Sequence, residues 1–319
     1  MARLAHDLLA EVSKIAGRRQ LSIDPLLPDL GDPTEGCSPP LIANGHDGSL
    51  IGFGICGHHV IPDDSLDHSF GMATRFALTA RLAEPDTRPA LDLLLARWGE
   101  HLSGLPEAAA ADTAAMVTWP SRETSGVRAL LGHGMQPIEV IAARPVGRAT
   151  AAPDVPGLVI REAGPGDVET VTEMVMRLFA YDAQFGVTVL RPATESLVRR
   201  DAQAALTRRP SWTWLAERDR RPVGLAVVQA PRDAAWIAGM TGPAPVAYLE
   251  AGFVMPAERG SGAAAALAGH AHRFLDAQGI AVTLLHYALT SPSAGPFWAR
   301  MGYRPLWTSW QVRPAAGLR

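Results

Sequence analysis

The stretch that decides the fold reads VMPAERGSGAAAALA, residues 254–268. A strand-like run, VAYLEAGFV, leads into it, and apolar residues at helical spacing follow it. Glycines just before a helix, here Gly260 and Gly262, let backbone N–H groups converge on an anion without obstruction by a Cβ atom. The helix dipole adds partial positive charge at the same point. The pattern therefore predicts a binding site for a phosphorylated ligand, and a pyrophosphate suits it.

The chain repeats itself at a spacing of about 170 residues. Residues 83–97, AEPDTRPALDLLLAR, place Pro three residues before Arg, as residues 254–268 do. Three further landmarks recur at similar offsets: Gly52 and Gly224, HGMQP at 133–137 and MGYRP at 301–305, and Arg144-Pro145 and Arg313-Pro314. Self-similarity at a fixed period indicates a tandem duplication.

Two domains follow from the repeat, residues 1–148 and residues 158–319, joined by a Pro- and Ala-rich linker at 149–157. A chain of 319 residues is long enough for both. The residue pattern of each half predicts the same order of elements: a strand, two helices, a meander of about three strands, then helix, strand, helix and strand. Because several strands precede this alternation, we predict an α+β fold whose mixed, largely antiparallel sheets are flanked by helices.

The composition excludes several classes of function. A net charge of −3 argues against binding to a nucleic-acid backbone, and Lys14 is the one lysine, which disfavours Schiff-base chemistry. No apolar run of about 20 residues predicts a membrane span. Cys37 and Cys56 form no metal or disulfide pattern, so a reduced, cytoplasmic setting is expected. The histidine pairs also lack ligand spacing, so no metal is predicted: His58 and His59, His270 and His272.

The motif and its flanks resemble the GNAT superfamily of N-acetyltransferases. The family loop is Arg/Gln-x-x-Gly-x-Gly/Ala, and residues 259–264 fit it at every fixed position. Residues 281–303, AVTLLHYALTSPSAGPFWARMGY, follow the family's order of strand, small-residue turn and aromatic helix. The resemblance covers residues 158–314, and residues 40–145 more faintly. It implies two tandem GNAT-like domains and acetyl-CoA as co-substrate.

The resemblance also assigns residues to the cofactor. The pyrophosphate would lie on the amides of residues 260–264, and the pantetheine arm would pair with the strand backbone at residues 253–255. The N–H of Val254 would stabilise the developing oxyanion. The full set is Phe253, Val254, Met255, Arg259, Gly260, Ser261, Gly262, Ala263, Ala264, Ser291 and Trp298.

Two residues of the preceding strand are candidates for proton transfer. Glu250 and Tyr248 are two apart and share a face of the strand, and members of the family often carry an acidic base there. A solvent-facing strand carboxylate is the alternative interpretation of Glu250. The family's usual acid, a Tyr in the last helix, is replaced here by Trp298, whose indole cannot protonate a thiolate. Ser291 or water would then supply the proton.

The acceptor side is predicted from the segment FAYDAQFG, residues 179–186. Tyr181 and Asp182 are candidate substrate-binding residues, and Asp182 is the charge that could hold an amine. Six of the eight tryptophans fall in the second half. They suggest an aromatic-lined cleft, although core packing is expected for most of them.

The first half carries an altered copy of the loop, Arg88-Pro89-Ala90-Leu91-Asp92-Leu93. Pro89 removes a backbone donor, Leu91 replaces a glycine, and Asp92 adds a charge that repels phosphate. We therefore predict a degenerate domain that does not bind CoA in the usual way. It would stand in for the second subunit of a dimer, so a monomer is expected.

The sequence and the resemblance together predict an acetyl-CoA-dependent N-acetyltransferase. The second domain would transfer the acetyl group directly to a primary amine of a small molecule. The alternative is a non-catalytic acyl-CoA-binding or partner-binding protein, which Trp298 and the altered first loop both favour. The sequence does not distinguish between acceptor amines.

Overall fold

The computed structural model describes residues 2–31, 39–148 and 152–319; Cys37 and linker residues 149–151 lie outside these ranges. The helices are α1 (Ala2–Ile23), α2 (Arg88–Ser103), α3 (Val127–Gly132), α4 (Val168–Asp182), α5 (Thr194–Leu206), α6 (Ala235–Ala238), α7 (Ala263–Ala277) and α8 (Ala294–Arg300). The strands are β1 (Leu41–Asn44), β2 (Leu50–Val60), β3 (Thr74–Leu82), β4 (Thr113–Pro120), β5 (Gln136–Pro145), β6 (Leu158–Glu162), β7 (Thr213–Arg218), β8 (Arg221–Gln229), β9 (Val246–Val254), β10 (Val282–Ala288) and β11 (Arg304–Val312). No helix within the described ranges has the length and apolarity needed to cross a membrane.

The chain divides into two compact units whose limits differ from the sequence halves. Unit 1 is Met1–Pro62, Met72–Val140 and Pro305–Arg319, and unit 2 is Asp63–Gly71 and Ile141–Arg304. The last strand of each half is thus exchanged: β11 belongs to unit 1 and the end of β5 to unit 2. The predicted domain boundaries at residues 148 and 158 refer to the repeat in the sequence, and as such they stay a prediction.

Unit 1 has the strand order β1-β2-β3-β4-β11. The first three strands are antiparallel, β3 and β4 are parallel, and β11 runs antiparallel to β4. Leu91, Leu94 and Trp98 of α2 pack into the core of this unit. Trp307 and Trp310 also belong to unit 1, with Trp310 in its core, so two of the six tryptophans of the second half of the sequence lie outside unit 2.

Unit 2 repeats this plan with one further strand, β6, in the order β10-β9-β8-β7-β6, and the end of β5 lies beside β10. The first half was predicted to open with a strand and two helices, but in the part of the chain that the structure describes α1 alone precedes its meander. Strands β6 to β9 are antiparallel, and β9 and β10 are parallel. Helices α4 and α5 pack on the sheet through a core that includes Leu206, Leu215, Leu225 and Phe253. The mixed sheet flanked by helices confirms the predicted α+β class.

A buried arginine anchors the end of β5 in unit 2. The Arg144 side chain is 2% exposed and donates from Nη1 and Nη2 to the two carboxylate oxygens of Asp276 on α7, both at 2.9 Å. It also donates to the carbonyl of Arg148 at 2.9 Å. A strand from the first half of the sequence is therefore fixed in unit 2 by a charge-assisted, bidentate contact.

Candidate active site

A gap opens in the sheet of unit 2 where β9 and β10 part. The two strands pair from Val246 and Val282 as far as Tyr248 and Leu284. Strand β9 then runs on to Val254 and β10 to Ala288, and among the described residues the ladder between them does not continue. Unpaired backbone groups therefore face each other across the gap between residues 249–254 and 285–288.

Only part of the predicted cofactor strand faces this gap. Met255 donates its N–H to the carbonyl of Val223, so the antiparallel alternation with β8 points the Val254 N–H away from β8 and towards the gap. The Met255 carbonyl already accepts from Glu258, and Phe253 packs into the core. Of the three residues predicted at 253–255, Val254 alone is free to pair through its backbone.

The glycine loop, residues 255–262, ends β9 and leads into α7. Gly260 and Gly262 have φ angles of +83° and +88°, a conformation that side chains disfavour. Helix α7 begins at Ala263, whose N–H donates to Ser261 Oγ at 3.3 Å. Within the described ranges no acceptor faces the N–H groups of Gly260 or Ala264. Loop and helix therefore present free donors, as an anion site requires.

Tyr181 lies at this loop. The guanidinium of Arg259 sits 5.3 Å from the centre of the Tyr181 ring, and the Tyr181 hydroxyl is 3.3 Å from Ser293 Oγ. The structure thus places Tyr181, predicted to bind the acceptor, beside residues predicted to bind the cofactor. Asp182 ends α4 and is half-buried, and its predicted role with the acceptor stays a prediction.

Ser291 and Trp298 flank the other side of the gap. The Ser291 side chain is 5% exposed, and its Oγ has no hydrogen-bond partner among the described residues. A buried hydroxyl without a protein partner can hydrogen-bond to a ligand. The Trp298 ring lies against β9 where Gly252 has no Cβ atom, since a Cβ built there would be 3.2 Å from the indole.

Glu250 occupies a β-bulge in β9. Val227 of β8 pairs with Ala251 and Val228 with Leu249, so Glu250 is the extra residue. Its Oε2 accepts a hydrogen bond from Gln229 Nε2 at 3.0 Å. Burial raises the pKa of the Glu250 carboxyl, the Gln229 hydrogen bond lowers it, and the charge of Asp201 raises it further. A raised pKa suits a base that works near neutral pH.

Three rings form a cluster next to Glu250 that the sequence did not identify as a unit. The Tyr248 hydroxyl and His286 Nδ1 are 3.0 Å apart, and Trp236 packs edge-on against Tyr248 with ring centres 5.0 Å apart. Trp236 also stacks with His286 and donates from Nε1 to Gln229 Oε1 at 2.9 Å. The one available signal was His286, which interrupts the apolar run Leu284-Leu285 near the end of β10.

Two buried histidines predict acid lability of unit 2. Burial lowers the pKa of His286 to about 4 and that of His272 to about 3, so the folded state holds both rings neutral. The unfolded chain binds these protons near pH 6.5, so stability is complete above that pH and falls below it. The two histidine shifts alone would lower the free energy of unfolding by about 5 kcal/mol between pH 7 and pH 4.5. The raised pKa of Glu250 acts in the opposite sense, because the folded state binds that proton more readily. We therefore expect a net drop of about 2–4 kcal/mol, measured by urea unfolding, and a flat profile in the Glu250→Gln variant, which lacks the opposing carboxyl, would contradict the assignment.

In unit 1 a protein carboxylate lies near the start of α2, the helix that includes residues 88–93 of the altered loop. Thr87 precedes α2, and its hydroxyl is 3.4 Å from Glu123 Oε1 and 2.6 Å from Ser125 Oγ. Ser125 donates its N–H to the same Glu123 oxygen at 3.0 Å, and Arg19 pairs with Glu123. The Glu123 carboxylate, paired with Arg19, therefore lies close to the start of α2.

Known proteins share this architecture. Residues 180–303 match the family model described as acetyltransferase (GNAT) family. A GCN5-related N-acetyltransferase from Sphaerobacter thermophilus has a TM-score of 0.58 and 18% identity, over 97% of this chain and 93% of that one. A GNAT-family acetyltransferase from Colwellia psychrerythraea has a TM-score of 0.50 and 12% identity, over 85% and 84%. These likenesses concern the fold, and no curated protein is significantly similar in sequence.

Proposed function

Because residues 180–303 belong to the acetyltransferase (GNAT) family, we propose that unit 2 transfers an acetyl group from acetyl-CoA to a primary amine of a small molecule. The observation that carries the proposal is the gap between β9 and β10, which ends at the glycine loop. A strand edge with free backbone groups suits an extended pantetheine arm, and the loop suits its pyrophosphate. Acetyl-CoA would supply the activated acetyl group as a thioester.

Each residue at the gap has a defined task in this proposal. The Val254 N–H would donate to the acetyl carbonyl oxygen as negative charge develops there. The Glu250 carboxylate would accept a proton from the acceptor ammonium, and the free amine would then attack the thioester carbonyl. As the C–N bond forms the C–S bond breaks, and CoA leaves as a thiolate that takes a proton from Ser291 or water. Ser291 Oγ, which lacks a partner among the described residues, would hydrogen-bond to the cofactor. The Trp298 ring would exclude water from the gap.

We propose that unit 1 does not bind acetyl-CoA. Ala90 and Leu91 of α2 are fully buried in its core, so their part of the altered loop is unavailable to a ligand. The hydroxyl of Thr87, the residue before the same helix, already has protein partners in Glu123 and Ser125. One equivalent of acetyl-CoA per chain is therefore expected.

A matched pair of variants at Ser261 tests the cofactor site. Both Ser261→Asp and Ser261→Asn keep an oxygen that can cap α7, and the two side chains have nearly the same size. The carboxylate opposes a pyrophosphate by up to about 4 kcal/mol at 4 Å, less with screening. We expect Ser261→Asp to weaken acetyl-CoA binding at least about tenfold and Ser261→Asn by less than about threefold, measured by calorimetry. Equal affinities, or two equivalents bound by the parent protein, would refute the assignment.

A further inference from the structure

Trp236 is an exposed tryptophan that makes a specific hydrogen bond. Its side chain is 61% exposed, on the short helix α6 between β8 and β9. Its Nε1 donates to Gln229 Oε1 at 2.9 Å, and its ring packs against Tyr248 and His286. A phenylalanine ring could make the same ring contacts. The indole N–H is what a tryptophan adds at this position, so the role of Trp236 depends on what Gln229 does.

The indole N–H fixes the orientation of the Gln229 amide. An indole nitrogen can only donate a hydrogen bond, whereas an amide has an oxygen that accepts and a nitrogen that donates. The Gln229 oxygen must therefore face Trp236, which leaves Nε2 facing the Glu250 carboxylate, 3.0 Å from Oε2. The flipped amide would put two donors together at Trp236 and two acceptors together at the ionised Glu250. One orientation alone satisfies both neighbours.

The oriented amide leaves one carboxylate oxygen of Glu250 available for chemistry. Gln229 occupies Oε2, and Oε1 has no hydrogen-bond partner within the described residues. Gln229 is the last residue of β8, and Glu250 is the bulged residue of the adjacent strand β9. Both residues line one cavity of about 470 Å³. An acceptor amine in this cavity would find Oε2 held in place and Oε1 unoccupied.

Other charged groups around Glu250 act on it without direct contact. The same cavity is lined by Asp201, Arg208, Arg209, Arg232 and Asp233. Among the described residues none of these five makes a hydrogen bond or an ion pair with Glu250. On the side of the rings, burial lowers the pKa of His286 to about 4 against the opposing charge of Asp67, so His286 is neutral near pH 7. The Gln229 amide is therefore the group that holds the carboxylate.

We propose that Trp236 is a positioning residue of the transfer reaction: its indole N–H orients Gln229, and Gln229 holds Glu250 with Oε1 free to accept the proton of the acceptor. The inference rests on the proposed role of Glu250 as the base. Trp236 acts through Gln229 and not through contact with the acceptor. Without its N–H the amide can rotate, so the hydrogen bond to the ionised carboxylate weakens. The carboxyl group then keeps its proton to a higher pH.

The carboxyl ¹³C signal of Glu250 measures this effect without any transfer reaction. The signal is assigned as the one missing from Glu250→Gln. Trp236→Phe should move its titration midpoint to higher pH by about 0.5 pH units, and Gln229→Met by about 1 pH unit. In the Gln229→Met background Trp236→Phe should add nothing, because the amide that it orients is gone. A midpoint unchanged by Trp236→Phe, or effects that add in the double variant, would overturn the proposal.

A matched substitution separates the loss of the indole N–H from the loss of a larger ring. Trp212 lines the same cavity, and within the described residues its indole forms no hydrogen bond with Gln229. Trp212→Phe should therefore leave the Glu250 midpoint where it is in the parent protein. Equal shifts from the two substitutions would mean that both rings act through burial alone, and the proposal would fail.

The rate of transfer separates this inference from the reaction on which it rests. In Trp236→Phe the fall of kcat/KM at low pH should begin at a correspondingly higher pH, with affinity for acetyl-CoA unchanged. A moved midpoint in a protein without turnover would refute the transfer reaction and the catalytic use of Trp236, and would leave the hydrogen bonds from Trp236 through Gln229 to Glu250 intact. Turnover with a midpoint that Trp236→Phe does not move would refute the inference and leave the reaction standing.

Discussion

Replacing Glu250 with Gln should lower kcat for acetyl transfer by about 10²- to 10⁴-fold, the usual cost of removing a general base. Affinity for acetyl-CoA should change by less than about twofold, because the proposed cofactor contacts lie at the glycine loop and on the β9 backbone. The amide keeps the size of the side chain in the bulge but cannot accept a proton. The rate is measured as release of the CoA thiol with the best primary amine of a panel. A variant with unchanged turnover would remove Glu250 from the mechanism, and a parent protein without turnover would favour a non-catalytic acyl-CoA-binding protein.

The pH dependence of the parent enzyme gives a second readout of the same residue. Since burial raises the pKa of Glu250 above its ordinary 4.5, kcat/KM should fall as the pH drops through that raised value. Two variants should shift the pH of this fall in kcat/KM, the acid limb of the profile, in opposite directions. Gln229→Met removes the hydrogen bond that favours the carboxylate, so the limb moves to higher pH; Asp201→Asn removes a repelling charge, so it moves to lower pH. Shifts in the same direction would contradict control by Glu250.

The sequence predicted the class of fold because local patterns determine it. The glycines before α7, the strand alternation and the repeat all reflect the backbone and burial of short segments. The exchange of β5 and β11 was not predictable in this way. Both strands carry apolar residues, and Arg-Pro ends β5 and directly follows β11, so no local pattern tells which sheet each strand completes. An apolar strand pattern shows that a strand is buried and does not show which neighbour covers it.

The candidate site was predictable where a motif carries it and unpredictable where tertiary contacts build it. The sequence singled out Glu250 and the glycine loop, and the structure places both beside the gap, although their roles stay predictions. Core packing was expected for most tryptophans of the second half, whereas Trp236 is 61% exposed. Asp67 was assigned to the other domain, since nothing local in its segment indicates that it packs in unit 2. Contacts between residues far apart in sequence decided both cases.

Because the Arg144–Asp276 ion pair holds the end of β5 in unit 2, substitutions at its two residues should lower the stability of unit 2 by different amounts. Asp276→Asn leaves the Arg144 charge buried without a counter-ion, which should cost about 3–5 kcal/mol of the free energy of unfolding of unit 2. Arg144→Met should cost less, about 1–2 kcal/mol, because Asp276 is 29% exposed and can regain hydration. Arg144 Nε also has no partner among the described residues, so an apolar replacement relieves an unsatisfied donor.

Hydrogen exchange in peptides from β5 and α7 measures these costs locally, which matters because a chain with two units need not unfold in one step. The double variant should resemble Arg144→Met alone, since the buried charge is then gone. The Arg144 hydrogen bonds lower the pKa of Asp276, so this contribution is present above the ordinary value of 3.8 and is lost as the pH falls through the lowered one. In Arg144→Met this loss of stability at low pH should disappear. If Asp276→Asn proved milder than Arg144→Met, the pair would not be what holds β5 in unit 2.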